Sequence, residues 1–156
     1  MLALYIGIAI LVALIDQVIK CFVVAYLKPV STVTAIPYIL NLSYVENKGV
    51  AFGMFSNMRI VFIIVTSIVI VLFAYLLTKN YKKSKLFSVS AALIIGGGLG
   101  NLIDRIFVGY VVDYLALTFF PPVCNFADYA ITAGTVLLII YLIFYADKDK
   151  RKLKNE

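Results

Sequence analysis

Apolar residues fall in four long runs, and shorter stretches between them hold most of the polar residues. The runs cover about 2–27, 60–78, 86–103 and 129–146. A membrane-spanning helix needs about 20 mainly apolar residues, so each run is long enough to cross a bilayer. The pattern predicts an all-α membrane protein with four transmembrane helices. We expect residues 1–156 to form a single integral membrane domain.

The stretch at about residues 28–57 has a different period. From Tyr38 to Val45, the side chains Tyr, Leu, Leu and Tyr alternate with Ile, Asn, Ser and Val. Alternation of period two with aromatic and β-branched residues predicts a strand. Asn47-Lys48-Gly49 then supplies residues typical of a turn. Because open strand edges cannot lie in the hydrocarbon, we expect a small β element at a membrane–water interface.

Composition and charge agree with a membrane protein. Hydrophobic residues make up 63% of the chain, the mean hydropathy is +1.03 and only 14% of residues are charged, against about 25% in soluble domains. The net charge is +6, but nine of the fourteen basic residues lie in two clusters, 79–85 and 148–154, each following an apolar run. That distribution is typical of cytoplasmic membrane loops, so no nucleic-acid partner is expected.

The same rule predicts an orientation. With both basic clusters inside, both termini are cytoplasmic, and the segments 28–57 and 105–128 lie outside. The β element is then at the outer interface.

Four carboxylates, Asp16, Asp104, Asp113 and Asp128, then fall in one layer at the outer ends of the spans. Asp104, for example, lies about 27 Å along a helix that enters from the inside near Leu86. Charged side chains at membrane depth mark functional sites by default. A transporter or proton-coupled channel is an alternative, but it would need polar groups at several depths.

Two of these carboxylates have a cation nearby in the sequence. Asp16 and Lys20 are four residues apart on one helix face, with the acid N-terminal to the base. Asp104 is followed directly by Arg105, although adjacent helix residues do not face each other. A nearby cation keeps a carboxylate ionised. The Asp16–Lys20 pair also has a purely structural interpretation, since intramembrane charges usually pair.

Asp113 and Asp128 are flanked only by Val, Tyr, Ala and Phe. Two carboxylates brought together in apolar surroundings cannot both ionise, so they share a proton, as in aspartic proteases. Asp128 could instead cap the helix that begins near it. Capping does not explain Asp113.

Other motifs also have structural interpretations. Gly96 and Gly100 form a small-xxx-small pair suited to close helix packing, and a non-catalytic scaffold assembled through them is a further alternative. A dinucleotide-binding loop is excluded, because its third glycine would stand where Asn101 does. Asn47-Lys48-Gly49 could be only a turn.

The missing residue types exclude several chemistries. Without histidine, the chain cannot build a zinc-protease, Ser-His, Cys-His or zinc-deaminase site. Cys21 and Cys124 form no CxxC motif. We therefore expect no metal site, and two carboxylates that act as acid and base need no organic cofactor.

Five ordered motifs resemble those of lipoprotein signal peptidases (signal peptidase II), bacterial four-span aspartic peptidases. They cover nearly the whole chain and read Asp16-Gln17-x-x-Lys20, Asn47-x-Gly49-x-Ala51-Phe52, Gly97-Gly98-x-Gly100-Asn101-x-x-Asp104-Arg105, Val111-Val112-Asp113-Tyr114 and Asn125-x-Ala127-Asp128. Two positions depart from the family pattern: Tyr114 stands where Phe is common, and Cys124 where an aromatic is usual.

The resemblance implies that Asp113 and Asp128 are catalytic. It also implies a substrate-binding or dyad-supporting group consisting of Asp16, Lys20, Asn47, Gly49, Gly97, Asn101, Asp104, Arg105 and Asn125. The implied substrate is a diacylglyceryl-modified prolipoprotein, cut just before its lipidated cysteine to release the signal peptide. Membrane lipid and globomycin-type cyclic peptide inhibitors are the other implied partners. The implied location is the bacterial cytoplasmic membrane, with the active site near the outer face.

Overall fold

A computed structural model of the protein describes residues 1–49 and 58–145. Four α-helices and four β-strands follow one another in the order α1 (Leu2–Phe22), β1 (Thr32–Ile36), β2 (Leu40–Asn47), α2 (Arg59–Asn80), α3 (Lys85–Phe107), β3 (Val111–Leu117), β4 (Val123–Cys124) and α4 (Phe126–Phe144). The end of the predicted 28–57 element, with Ala51 and Phe52 of the second motif, lies outside the described residues. So does the basic cluster 148–154.

Four helices in the described part of the chain are long and apolar enough to cross a membrane. They confirm the predicted fold class. The first continues from α1 through a π-helical segment, Val23–Leu27. The third extends to Phe107, beyond the predicted 86–103. The fourth begins at Phe126, earlier than the predicted 129–146, because the Asn125 side chain caps it.

The central helix is α3, which packs against α1, α2 and α4. Gly96 and Gly100 face α1, and this close approach is what the small-xxx-small spacing predicts. A Cβ on Gly96 would lie 2.6 Å from the carbonyl oxygen of Ala9, and a Cβ on Gly100 would lie 2.5 Å from Asp16 Oδ2. Neither position has room for a side chain.

A second glycine surface brings α4 against α3. A Cβ on Gly97 would lie 2.5 Å from the carbonyl oxygen of Ala127, and a Cβ on Gly134 would lie 2.8 Å from that of Ser90. Gly97 therefore lets the start of α4 approach α3 closely. Asp128 lies one residue after this contact, so Gly97 acts on the position of Asp128 through packing.

The four strands form one antiparallel sheet in the order β1-β2-β3-β4. The sequence-based prediction placed the β element only at about 28–57, and its extent was wrong, since β3 and β4 come from the 105–128 connection. Leu40 pairs with Leu117 and Asn47 with Val111, with a register shift between Leu42 and Val45. Tyr38, predicted to be in a strand, lies in a turn at φ 62°.

The sheet covers one end of the helix bundle. Val23 and Leu27 pack beneath it against Val112 and Tyr114. At this end, called the sheet end below, α1 and α3 finish and α2 and α4 begin. Arg59, the first residue of α2, donates hydrogen bonds from Nε and Nη2 to the last carbonyl groups of α3, at 2.6 and 2.9 Å.

Candidate active site

The carboxylates singled out in the sequence all meet at the sheet end. Asp16 comes from α1, Asp104 from α3, Asp113 from β3 and Asp128 from the first turn of α4. Three of them, Asp16, Asp104 and Asp113, are buried, with relative exposures of 0%, 3% and 1%. Burial of this kind requires that each carboxylate oxygen find a donor.

Asp113 accepts one hydrogen bond on each carboxylate oxygen. Asn125 Nδ2 donates to Oδ1 at 2.6 Å, and Asn47 Nδ2 donates to Oδ2 at 2.8 Å. The Asn47 amide is turned this way because its own oxygen accepts the backbone N–H of Gly49 at 3.0 Å. The turn chemistry at Asn47 and Gly49 thus also orients a donor onto Asp113.

Asp128 is similarly held on both oxygens. Asn101 Nδ2 donates to Oδ1 at 2.8 Å, and the backbone N–H of Asn125 donates to Oδ2 at 3.1 Å. The Asn125 side-chain oxygen accepts the backbone N–H of Asp128 at 2.9 Å, which completes a capping box. The helix cap is therefore Asn125, and Asp128 is its reciprocal partner three residues on.

Asn125 lies between the two carboxylates. Its oxygen is taken by the helix cap, so its amide group faces Asp113 and the oxygen of Asn101, at 3.1 Å. Its backbone N–H binds Asp128 at the same time. One buried residue is thus within hydrogen-bonding distance of both carboxylates, which brings Asp113 and Asp128 to one place.

Behind this pair, Lys20 forms two buried ion pairs. Its Nζ lies 2.8 Å from Asp16 Oδ2 and 2.8 Å from Asp104 Oδ2, and it donates to Asn101 Oδ1 at 3.0 Å. The sequence predicted the Asp16–Lys20 pair correctly. It suggested Arg105 as the cation for Asp104, but the ion pair of Asp104 is with Lys20. Arg105 interacts with Asp104 only through its charge.

Arg105 is half-buried, and its guanidinium stacks over the Phe62 ring, 5.2 Å from the centroid. Its Nη1 donates to the carbonyl oxygen of Asn101 at 3.3 Å. The charge lies close enough to Asp113 and Asp128 to interact with both. Arg105 can therefore offer further N–H groups beside the pair.

Burial raises the pKa of Asp113 to about 7, and the charge of Asp128 adds to the rise. Hydrogen bonds from Asn47 and Asn125 and the charge of Lys20 oppose it. A carboxyl group with a pKa near 7 exchanges its proton at physiological pH, as a general acid or base must. Among the described residues, no three His, Cys, Asp or Glu side chains are grouped to hold a metal ion.

Comparison with known proteins identifies the family. The family model described as signal peptidase (SPase) II matches residues 8–144. The chain belongs to the signal peptidase II family. It is therefore a peptidase.

Relatives of this peptidase match over most of their length. A lipoprotein signal peptidase of Caldanaerobacter subterraneus subsp. tengcongensis is 41% identical over 133 residues, which cover 85% of this chain and 91% of that one. One of Clostridioides difficile is 42% identical over 149 residues, covering 94% and 99%. A solved structure described as a bacterial membrane enzyme superposes with a TM-score of 0.79 at 32% identity, covering 92% of this chain and 95% of that one.

The structure adds residues that the sequence analysis did not single out as candidates. Gln17 Nε2 donates to Asp104 Oδ1 at 2.9 Å and to the carbonyl oxygen of Gly100 at 3.1 Å. The Tyr114 hydroxyl accepts the backbone N–H of Phe126 at 3.2 Å, and burial raises the pKa of Tyr114 to about 12. The spacing of Gln17 could have identified it as a site residue, because it lies three residues before Lys20 on the same helix face.

We expect Asn125→Ala to lower peptidase activity on the order of 10–100-fold, the scale measured for groups that orient metal ligands. The substitution removes the donor to Asp113 together with the cap of α4. Loss of the cap alone should cost about 0.5–2 kcal/mol of stability.

Ser84→Ala is the matched control, because Ser84 caps α3 through the backbone N–H of Phe87 at 3.3 Å and lies at the opposite end of that helix. Melting temperatures in detergent should fall for both variants, but initial rates only for Asn125→Ala. Equal rates for the two variants would mean that Asn125 has no role beyond capping.

Proposed function

We propose that this protein removes the signal peptide from diacylglyceryl-modified prolipoproteins, cutting just before the lipidated cysteine. A water molecule activated between Asp113 and Asp128 would cleave the bond. The observation that carries the proposal is that Asn125 donates hydrogen bonds to both carboxylates, at the sheet end of four apolar helices. The names of the relatives support the prolipoprotein as substrate.

The chemistry follows from one proton shared by the pair. The ionised carboxylate takes a proton from water as the water oxygen attacks the peptide carbonyl carbon, and the protonated carboxyl gives its proton to the carbonyl oxygen. Collapse of the tetrahedral intermediate breaks the C–N bond. The leaving nitrogen takes the proton that the base had removed from water, and the other carboxylate takes back a hydroxyl proton from the intermediate, so the pair returns to its singly protonated state.

The environments of the two carboxylates favour different roles. Asp113 is buried and has a pKa of about 7, so we expect it to hold the proton. Asp128 is half-buried in the first turn of α4, where the helix dipole favours a negative charge. Asp128 is then the base, and Asp113 the acid.

The remaining polar groups would bind the substrate backbone and orient the pair. Arg105 and Asn101 lie beside Asp128, and Asn47 beside Asp113. A substrate held in the bilayer by its own acyl chains would present its scissile bond near the ends of the spans. A globomycin-type cyclic peptide would occupy the same place and block cleavage.

This arrangement is less suited to transport. Among the described residues, the buried charged side chains are Asp16, Lys20, Asp104 and Asp113. All of them lie at the sheet end, whereas a path across the membrane needs polar groups at several depths. The single layer therefore favours the peptidase proposal over a transporter or proton-coupled channel.

Asp113→Asn and Asp128→Asn should each abolish cleavage of a diacylglyceryl-modified prolipoprotein by the purified protein. Asn retains the shape but can neither take a proton nor give one as an acid. Loss of either partner should cost about as much as loss of both, and at least the 10²–10⁴-fold typical of one acid–base group. The readout is the gel shift that accompanies signal-peptide release.

Glu46→Gln is the matched control, since Glu46 is an exposed carboxylate in the same sheet, paired with Lys28. This variant should cleave at the wild-type rate, and a globomycin-type peptide should inhibit the variant and the wild-type protein alike. Robust processing by Asp113→Asn protein would refute the aspartic mechanism.

The pH dependence of cleavage should be bell-shaped, with two apparent pKa values that belong to the pair. Because the active pair carries one proton and the pKa of Asp113 is about 7, kcat/KM should fall about tenfold per pH unit above that value. Rates measured from pH 4 to 9 test this. A rate that stays constant up to pH 9 would contradict a proton-donating Asp113.

We also propose that the protein lies in the bacterial cytoplasmic membrane with the sheet end outside and both termini cytoplasmic. The basic residues Lys79, Lys82, Lys83 and Lys85, between α2 and α3, support this orientation. In a protein lacking Cys21 and Cys124, Thr34→Cys in β1 should react with an impermeant thiol reagent on intact cells. Asn80→Cys should react only after permeabilisation. The reverse pattern would invert the orientation.

A further inference from the structure

The residue before each member of the pair is held by a carboxylate from another segment. Asp104 Oδ2 accepts the backbone N–H of Val112 at 3.1 Å, one residue before Asp113. Asp16 Oδ1 accepts the backbone N–H of Ala127 at 3.0 Å, one residue before Asp128. The two contacts are equivalent, although β3 and α4 have different backbone conformations.

Lys20 joins these two contacts. Its ammonium group lies 2.8 Å from a carboxylate oxygen of each of Asp16 and Asp104. All three side chains are buried, with exposures of 4% or less. A continuous chain of contacts therefore runs from the backbone of β3 through Asp104, Lys20 and Asp16 to the start of α4.

We infer that Lys20, Asp16 and Asp104 form a clamp that sets the separation between Asp113 and Asp128. These three are positioning residues, since they act on the pair through backbone N–H groups rather than on the substrate. The inference rests on the proposed function, because it assumes that Asp113 and Asp128 react together. It assigns to the Asp16–Lys20 pair a role beyond neutralising buried charge.

The clamp needs carboxylates on either side of the ammonium. Asp16 has a donor at each oxygen, the Ala127 N–H at Oδ1 and Lys20 at Oδ2. Asp104 likewise faces Gln17 with Oδ1 and Lys20 with Oδ2. An asparagine at either position would direct its NH₂ group against one of these donors. One contact of the clamp would then loosen.

The third N–H of Lys20 acts on the pair through a side chain. It donates to Asn101 Oδ1 at 3.0 Å. Because ammonium has no acceptor, the Asn101 oxygen must face Lys20, and its NH₂ group must face Asp128. Lys20 thus fixes the donor to Asp128 as well as the backbone on both sides.

The decisive variant is Lys20→Met, measured by kcat, KM and the pH dependence of kcat. We expect kcat to fall on the order of 10–100-fold, as for other orienting groups, with KM nearly unchanged because the clamp does not touch substrate. The groups facing Asp113 are Asp128, Lys20, Arg105, Asn47 and Asn125. Removing the Lys20 cation favours the protonated pair, so the alkaline limb should move to higher pH.

Lys28→Met is the matched control. Lys28 also pairs with a carboxylate, Glu46, at 3.1 Å, but the pair is largely exposed. This variant should keep the wild-type kcat and pH limits. Lys20→Arg should retain the charge and recover part of the lost rate.

Asp104→Asn provides the same test if Lys20→Met is not recovered folded. It keeps Lys20 and the pair but weakens the contact with Val112. A reduced kcat at unchanged KM supports the clamp. Wild-type kcat and pH limits in a folded Lys20→Met or Asp104→Asn protein overturn it, whatever the change in melting temperature. Failure of the proposed function is a separate outcome, seen as cleavage by Asp113→Asn.

Discussion

Lys20 carries a positive charge inside the helix bundle, and the structure at the sheet end depends on how that charge is satisfied. Removing one partner from a buried ion pair leaves an uncompensated charge and is strongly destabilising. The Lys20 ammonium group has three N–H bonds and directs one to each of Asp16, Asp104 and Asn101. Since these partners come from α1 and α3, the ion pairs fix the two helices in depth and rotation relative to each other.

Close helix packing is the condition for this arrangement. Asp16 Oδ2 lies 2.5 Å from where a Cβ on residue 100 would be, so glycine at that position leaves room for the carboxylate between α1 and α3. Gly97 does the same for the start of α4, whose Ala127 carbonyl lies against it. The small residues of α3 therefore allow close helix packing, and in the proposed mechanism this packing also positions the site.

Patterns of residues close together in the sequence predicted the features that depend only on local backbone geometry. Apolar runs gave four spans, and the i,i+4 spacing gave the Asp16–Lys20 pair. The pairing of Lys20 with Asp104 and of β2 with β3 depends on contacts far apart in sequence, which no period reveals. The strand that contains Asp113 also lacks alternation of apolar and polar residues, because its first four residues, Val111 to Tyr114, are all buried. A strand buried on both faces has no period-two signal.

The absence of histidine makes the environment of the carboxylates decisive. In the proposed mechanism acid and base are both aspartate, so only their surroundings can separate their roles. Asp113 lies within the sheet, away from water and near a second carboxylate, and both conditions favour its protonated form. Asp128 differs in lying in the first turn of α4 and in being partly exposed. Asn125 keeps these unequal groups together, because the same residue caps the helix of one and donates to the other. In the proposed mechanism, Asn125 is therefore needed for the chemistry as well as for capping α4.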